Sequence, residues 1–137
     1  LIEITGRRSH IPFPDISWNE LTASGRKVLN TPHGVVIDTK DRLWIIDHGN
    51  WIAKPQPPKL VAFDIHSRKL THRHDFECSM APDGQVLQDL AIDTDRGFVY
   101  VADCGADRPS SSSTSSATRR AASGVTRRWP PKTSTWW

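Results

Sequence analysis

One phrase occurs twice in this chain. Gly34-Val-Val-Ile-Asp-Thr-Lys-Asp-Arg-Leu-Trp-Ile-Ile-Asp-His-Gly49 returns as Asp89-Leu-Ala-Ile-Asp-Thr-Asp-Arg-Gly-Phe-Val-Tyr-Val-Ala-Asp-Cys-Gly105. Asp38 corresponds to Asp93, 55 positions on, and Asp47 to Asp103, 56 positions on, because Gly97 is one extra residue in the second turn. A period near 50 residues built from short strands is the signature of a β-propeller blade or a related array. Such units bury their faces only by stacking on one another, so two of them do not make a closed domain. The expectation is an all-β fragment, about one and a half blades of a larger propeller. The chain begins at Leu1 rather than Met, so a missing signal peptide says nothing about export.

The strand pattern fills out the repeat. Residues 1–33 are loop-rich: Ile11-Pro-Phe-Pro14 cannot be a central strand, since each proline removes a backbone donor. Ile2 to Ile4 reads as the end of a strand. Trp18 to Leu21 reads as a helical turn with Ser17 at its N-cap. Residues 34–76 form the first blade, with strands at Gly34–Asp38, Leu43–Asp47, Lys59–Ile65 and Lys69–Phe76. The last of these is the more polar and suits an outer edge. Residues 77–109 start a second blade, with strands at Gln85–Asp93 and Phe98–Asp103. Trp44 is expected between the blades. Asp38 and Asp93 are expected to hold the hairpin turns.

The third strand of the second blade ought to follow Pro109. Instead, 13 of the residues 110–137 are Ser or Thr, and five are basic with no acid. The basic balance therefore belongs to this tail. Against +3 for the whole chain, residues 1–109 carry −2, and nucleic acid is not an expected partner. As written, the tail is a low-complexity, disordered segment. A frameshift near Pro109 is the alternative. Read two bases out of phase, Trp129 to Trp137 gives Ala-Pro-Glu-Asp-Val-Asp-Leu-Val with suitable third bases, and the serine run becomes a valine-rich strand. No run of about 18 apolar residues is present, so no membrane span is expected.

Residues 10–109 resemble the major royal jelly protein/yellow family, including its bacterial-type members. The matching stretches are Ile11-Pro-Phe-Pro-Asp15 with Trp18-Asn19, Gly34–Gly49, Pro58-Lys-Leu-Val-Ala-Phe-Asp64, and Leu87–Asp93 with Val99–Asp103. Their order and spacing carry the resemblance. It implies a six-bladed propeller on the order of 300 residues, secreted to the extracellular space or the periplasm. It also implies a choice of activities: a binder of small aromatic or amine ligands, a dopachrome isomerase-like tautomerase, or a lactonase with a metal in its channel. Fold alone does not choose among them.

Propeller ligands bind where loops and innermost strand ends converge, so the candidates are residues at equivalent places in both repeats. His33 precedes the first inner strand, and Gln88 and Asp89 open the second. A channel metal, calcium or magnesium, would take an Asp such as Asp89; the competing reading is a carboxylate that accepts turn N–H groups. The resemblance implies Asn-Asp where this chain has Gln88-Asp89, which weakens the metal reading. His48, Asn50 and Trp51 follow Asp47 in a loop and suit a ligand mouth. Asp47 and Asp103, each within two residues of a glycine, read either as turn caps or, for Asp103, as a ligand contact. His33 and His48 are the candidate general bases if the protein is an enzyme. His72 and His74 read as surface residues of the outer strand. Cys78 and Cys104 show no zinc or CxxC spacing and read as a disulfide or as two small buried residues. No nucleophile elbow, phosphate loop or HExxH motif occurs.

The leading expectation is a fragment of a secreted propeller that binds a small ligand at its channel mouth. The enzymes named above are the first alternative. A nonfunctional truncated product with unpaired, aggregation-prone sheet edges is the second.

Overall fold

The computed structural model describes residues 1–20, 27–49, 55–81 and 85–105, and the backbone of residues 127–128. The chain is all-β. Strands β1 (Ile2–Gly6) and β2 (Ser9–Pro12) form a hairpin. Strands β3 (Pro32–Ile37), β4 (Arg42–Asp47), β5 (Lys59–Asp64) and β6 (Leu70–Asp75) follow one another in a four-stranded antiparallel sheet, one complete blade. Strands β7 (Leu87–Asp93) and β8 (Phe98–Asp103) begin a second sheet, and the two-residue β9 (Arg127–Arg128) pairs with Phe98 and Val99. A 3-10 turn spans Ser17–Asn19. Among the described residues no helix is long and apolar enough to cross a membrane.

The first blade is apolar on both faces because β4 and β5 carry unbroken apolar runs. Trp44, Ile46, Leu60 and Ala62 point one way and pack against Leu87, Leu90 and Val101 of the second sheet. Ile45, Val61 and Phe63 point the other way and meet Phe13, Trp18 and Leu29. Trp18 and Phe13 both stand edge-on to Phe63, with centroids 4.9 and 6.0 Å away. The segment before β3 is thus a cover for the blade's second face. Arg68, left-handed at φ 59°, fastens that cover. Its guanidinium donates to the Pro12 and Pro14 carbonyls, pairs with Glu3 and lies 5.4 Å from the Phe13 ring centroid.

The turn carboxylates do what the repeat led one to expect. Asp38 accepts the Lys40 and Arg42 amides, the Arg42 guanidinium and the Trp44 indole N–H. Burial alone would raise its pKa, but these donors outweigh burial and hold it below the ordinary range. Asp93 accepts the Arg96 amide in the second turn, where Gly97 is left-handed at φ 71°.

Three expectations need correction. Residues 1–12 are a hairpin rather than loop, with Pro12 at the end of an edge strand where its missing donor does no harm. The 3-10 turn is capped by Asp15, whose Oδ1 accepts the Ser17 and Trp18 amides, and not by Ser17. His72 and His74 are half-buried rather than exposed. The His72 ring packs 5.2 Å from Trp44 and His74 4.9 Å from Phe76. Burial, then His74 and Arg42, push the His72 pKa down to about 4. Of the tail expected to be disordered or out of frame, residues 110–126 and 129–137 lie outside the described residues.

Lys59 is the least expected core residue, 1% exposed beside a fully buried Asp47. Its Nζ lies 2.5 Å from Asp47 Oδ2. Removing one partner of a buried pair strands the other charge. Lys59→Met should therefore cost about 3–5 kcal/mol, read as a lowered urea midpoint with Trp fluorescence. A midpoint unchanged from the parent would show that the pair does not hold the blade.

Candidate functional site

The two blades meet along their innermost strands. At Gly34 of β3, a Cβ would lie 2.9 Å from both the Asp89 Cα and the Gln88 carbonyl oxygen of β7. Only glycine permits this approach. It places the starts of β3 and β7 side by side, in an open cleft of about 390 Å³ lined by His33, Gly34, Gln88, Asp89, Ala102 and Cys104.

The repeat shows what has been brought together. His33 and Gln88 are equivalent, 55 apart, and His48 and Cys104 are equivalent, 56 apart. Within each repeat the two members touch. The His33 and His48 rings meet edge to face at 5.5 Å, and the Cys104 thiol donates to Gln88 Oε1 at 2.6 Å. His48 is fully buried, and burial, then the neighbouring His33, keep its pKa below the usual value against the pull of Asp47 and Asp103. It is neutral at physiological pH. Gln88, Asp89 and Cys104 are exposed.

Asp47 and Asp103 are the supports under these pairs. Asp47 accepts the Asn30 and Thr31 amides, at 2.8 and 2.7 Å, and so fixes the entry to β3. Asp103 accepts the Val86 and Gly105 amides, at 3.0 and 2.8 Å, and fixes the entry to β7 in the same way. Asp103 is thus a turn cap. Gly49, just beyond His48, is left-handed at φ 78°. The Asp89 carboxylate accepts the amide of its neighbour Leu90 at 2.8 Å and otherwise faces the cleft.

Of the residues singled out in the sequence, His33, Gln88 and Asp89 line one cleft, with His48 packed behind His33. Asn50 and Trp51 lie outside the described residues. Cys104 is the residue that motif reasoning passed over. Its signal was positional, since it falls where the first repeat has His48. Both cysteines are free and exposed, neither bonded nor buried. A metal would need more donors than this cleft offers among the described residues. Among the described residues no group of three His, Cys, Asp or Glu side chains could hold an ion. Calcium takes six to eight oxygen ligands, and the cleft offers the Asp89 carboxylate as its one charged oxygen donor.

These features define a segment of a propeller-type array whose blades meet closely at their inner strands and open a cleft there. Residues 31–108 match the family model described as major royal jelly protein. Major royal jelly protein 6 of Apis mellifera is 35% identical over 104 residues, covering 67% of this chain and 23% of that protein. Major royal jelly protein 7 of the same species is 32% identical over 108 residues, covering 72% of this chain and 24% of that protein. The chain belongs to the major royal jelly protein family. It spans about a quarter of the length of these curated relatives.

The depressed histidines set a pH response. In the folded chain His48 and His72 stay neutral below the ordinary histidine value of 6.5. The unfolded chain takes up protons there and the folded chain does not. The histidine contribution to stability should be level above pH 6.5 and should fall as pH drops toward about 4. His72→Phe keeps a ring on Trp44 and should flatten that fall in urea titrations across the range. A slope identical to the parent's would remove His72 from the account.

Proposed function

We propose that the chain is part of an exported propeller that binds a small aromatic amine, with the His33–Gly34–Gln88–Asp89–Cys104 cleft as part of the binding wall. One observation carries this reading: the close β3–β7 approach gathers an exposed carboxylate, Asp89, and an imidazole ring, His33, at the starts of the innermost strands of two blades. Asp89 supplies the charge for an ammonium group. His33 supplies a ring face, and the Gln88 amide and Cys104 thiol supply polar edges. The relatives are named as proteins of royal jelly, which supports export of this protein too.

An enzymatic reading has one observation in its favour. His48 is held neutral, as a general base must be. Yet His48 is fully buried, so a substrate in the cleft would meet His33 first. Turnover of dopachrome by this protein, lost in His33→Ala and retained in the presence of a chelator, would favour a tautomerase over binding alone.

The binding reading is tested by calorimetry with tyramine and with 4-ethylphenol, which lacks the ammonium group. Tyramine should bind, and 4-ethylphenol should bind at least about tenfold more weakly, the equivalent of 1.4 kcal/mol. Asp89→Asn should erase the difference. Equal affinities in the parent protein would defeat the amine reading.

A further inference from the structure

The cleft between the inner strands joins a carboxylate to a side chain that can change charge near neutrality. His33 is half-buried on β3, next to Gly34, and lines the cleft together with Asp89. The Asp89 Oδ1 comes within 3.0 Å of where a Gly34 Cβ would stand, so the carboxylate reaches across to the backbone beside His33. Histidine is the side chain whose ordinary change of charge falls between about pH 5 and 8. We infer that His33 is a proton switch on amine binding: as a neutral ring it leaves Asp89 to an ammonium ligand, and as an imidazolium it competes with that ligand for the carboxylate and repels it. This inference rests on the amine reading above and concerns the regulation of the same cleft.

Among the described residues, the groups around His33 direct a proton to the cleft wall. Just beyond β4, the His48 ring meets His33 edge to face, with centroids 5.5 Å apart. His48 is fully buried, and burial, then His33, keep its pKa below the ordinary value. A proton entering this pair therefore settles on His33, which water can reach, and the charge appears at the cleft. The carboxylates behind the pair are already engaged. Asp47 of β4 holds the Lys59 ammonium of β5 and two backbone amides. Asp103 of β8 accepts the Val86 and Gly105 amides and is also met by the Gln85 side-chain amide. The Cys104 thiol donates to Gln88 of β7. Asp89 is thus the carboxylate that an imidazolium on the cleft wall faces. The second repeat has Gln88 and Cys104 where the first has His33 and His48, so the switch is built into one wall of the cleft.

Calorimetry on the whole chain between about pH 7.5 and about pH 5.5 tests this, because histidine changes charge across that range. Trp fluorescence at each pH checks that the chain stays folded. Tyramine, cationic throughout, should bind about tenfold more weakly at the acid end. In the middle of the range its binding should release protons, so the measured heat should vary with the ionisation enthalpy of the buffer. Neutral 4-ethylphenol should show neither effect. His33→Asn forfeits a ring face, so it is compared with itself across the range, and its tyramine affinity should be level. His48→Phe keeps a ring behind His33 and should retain the parent's fall. A fall that persists in His33→Asn would move the titration to the carboxylate, and one lost in His48→Phe would move it to the buried imidazole. Either result overturns the switch, as does a parent affinity that is flat with pH. Tyramine and 4-ethylphenol binding equally at the neutral end would instead sink the amine reading, and this inference with it.

Discussion

The sheet β3–β6 is apolar on both faces, and such a sheet must be covered twice. Its middle strands bury every residue from Trp44 to Asp47 and from Lys59 to Phe63. Successive side chains point to opposite sides of a strand, so each run feeds two cores at once. One core is closed by β7 and β8, the other by the segment that ends at Leu29. The covers are held differently. The second sheet is drawn in by backbone proximity at Gly34. The N-terminal segment is pinned at its edge by Arg68, whose guanidinium donates to the carbonyls of Pro12 and Pro14. Where the middle strands end, between the two covers, water is excluded. The polar groups there must then satisfy one another, and Asp47 does so with two amides and Lys59.

How much of this was legible follows from which residues the period constrains. The strands β3 to β8 repeat a pattern of β-branched and aromatic residues closed by Asp, and that pattern is enough to place them. The hairpin β1–β2 carries no such pattern. Ile2 and Ile4 are 53% and 70% exposed, so no core imposes alternation on them, and the prolines nearby read as loop. The cap on the 3-10 turn was misplaced by two residues because Asp15 and Ser17 are both good caps, and the choice depends on backbone geometry. Lys59 looked like the polar start of an apolar strand. Its burial is a property of the pair it forms with a residue 12 positions away, which no local pattern encodes. His72 and His74 were misread for a related reason: the outer strand is polar in composition, yet its rings lie against Trp44 and Phe76.

The comparison of the two repeats separates scaffold from site. Asp38 and Asp93 hold turns, and Asp47 and Asp103 hold strand entries. Both pairs are the same residue because the backbone amides they serve recur at the same places. The cleft positions differ: His33 against Gln88, Gly34 against Asp89, His48 against Cys104. They occupy equivalent places in the two repeats without sharing chemistry.

The Gly34–Asp89 difference carries the argument one step further. At residue 34 a Cβ is excluded by the backbone of β7, 2.9 Å away. At residue 89, the equivalent place one blade on, the chain has not merely a Cβ but a whole carboxylate. The same face of β7 and β8 presents Tyr100, 41% exposed, where the first blade buries Trp44. The Asp89 carboxylate turns back toward the first blade: its Oδ1 lies 3.0 Å from where a Gly34 Cβ would stand and accepts the Leu90 amide, so the side chain lines the cleft between the two inner strands. The side chain missing from one repeat thus makes room for the carboxylate supplied by the other.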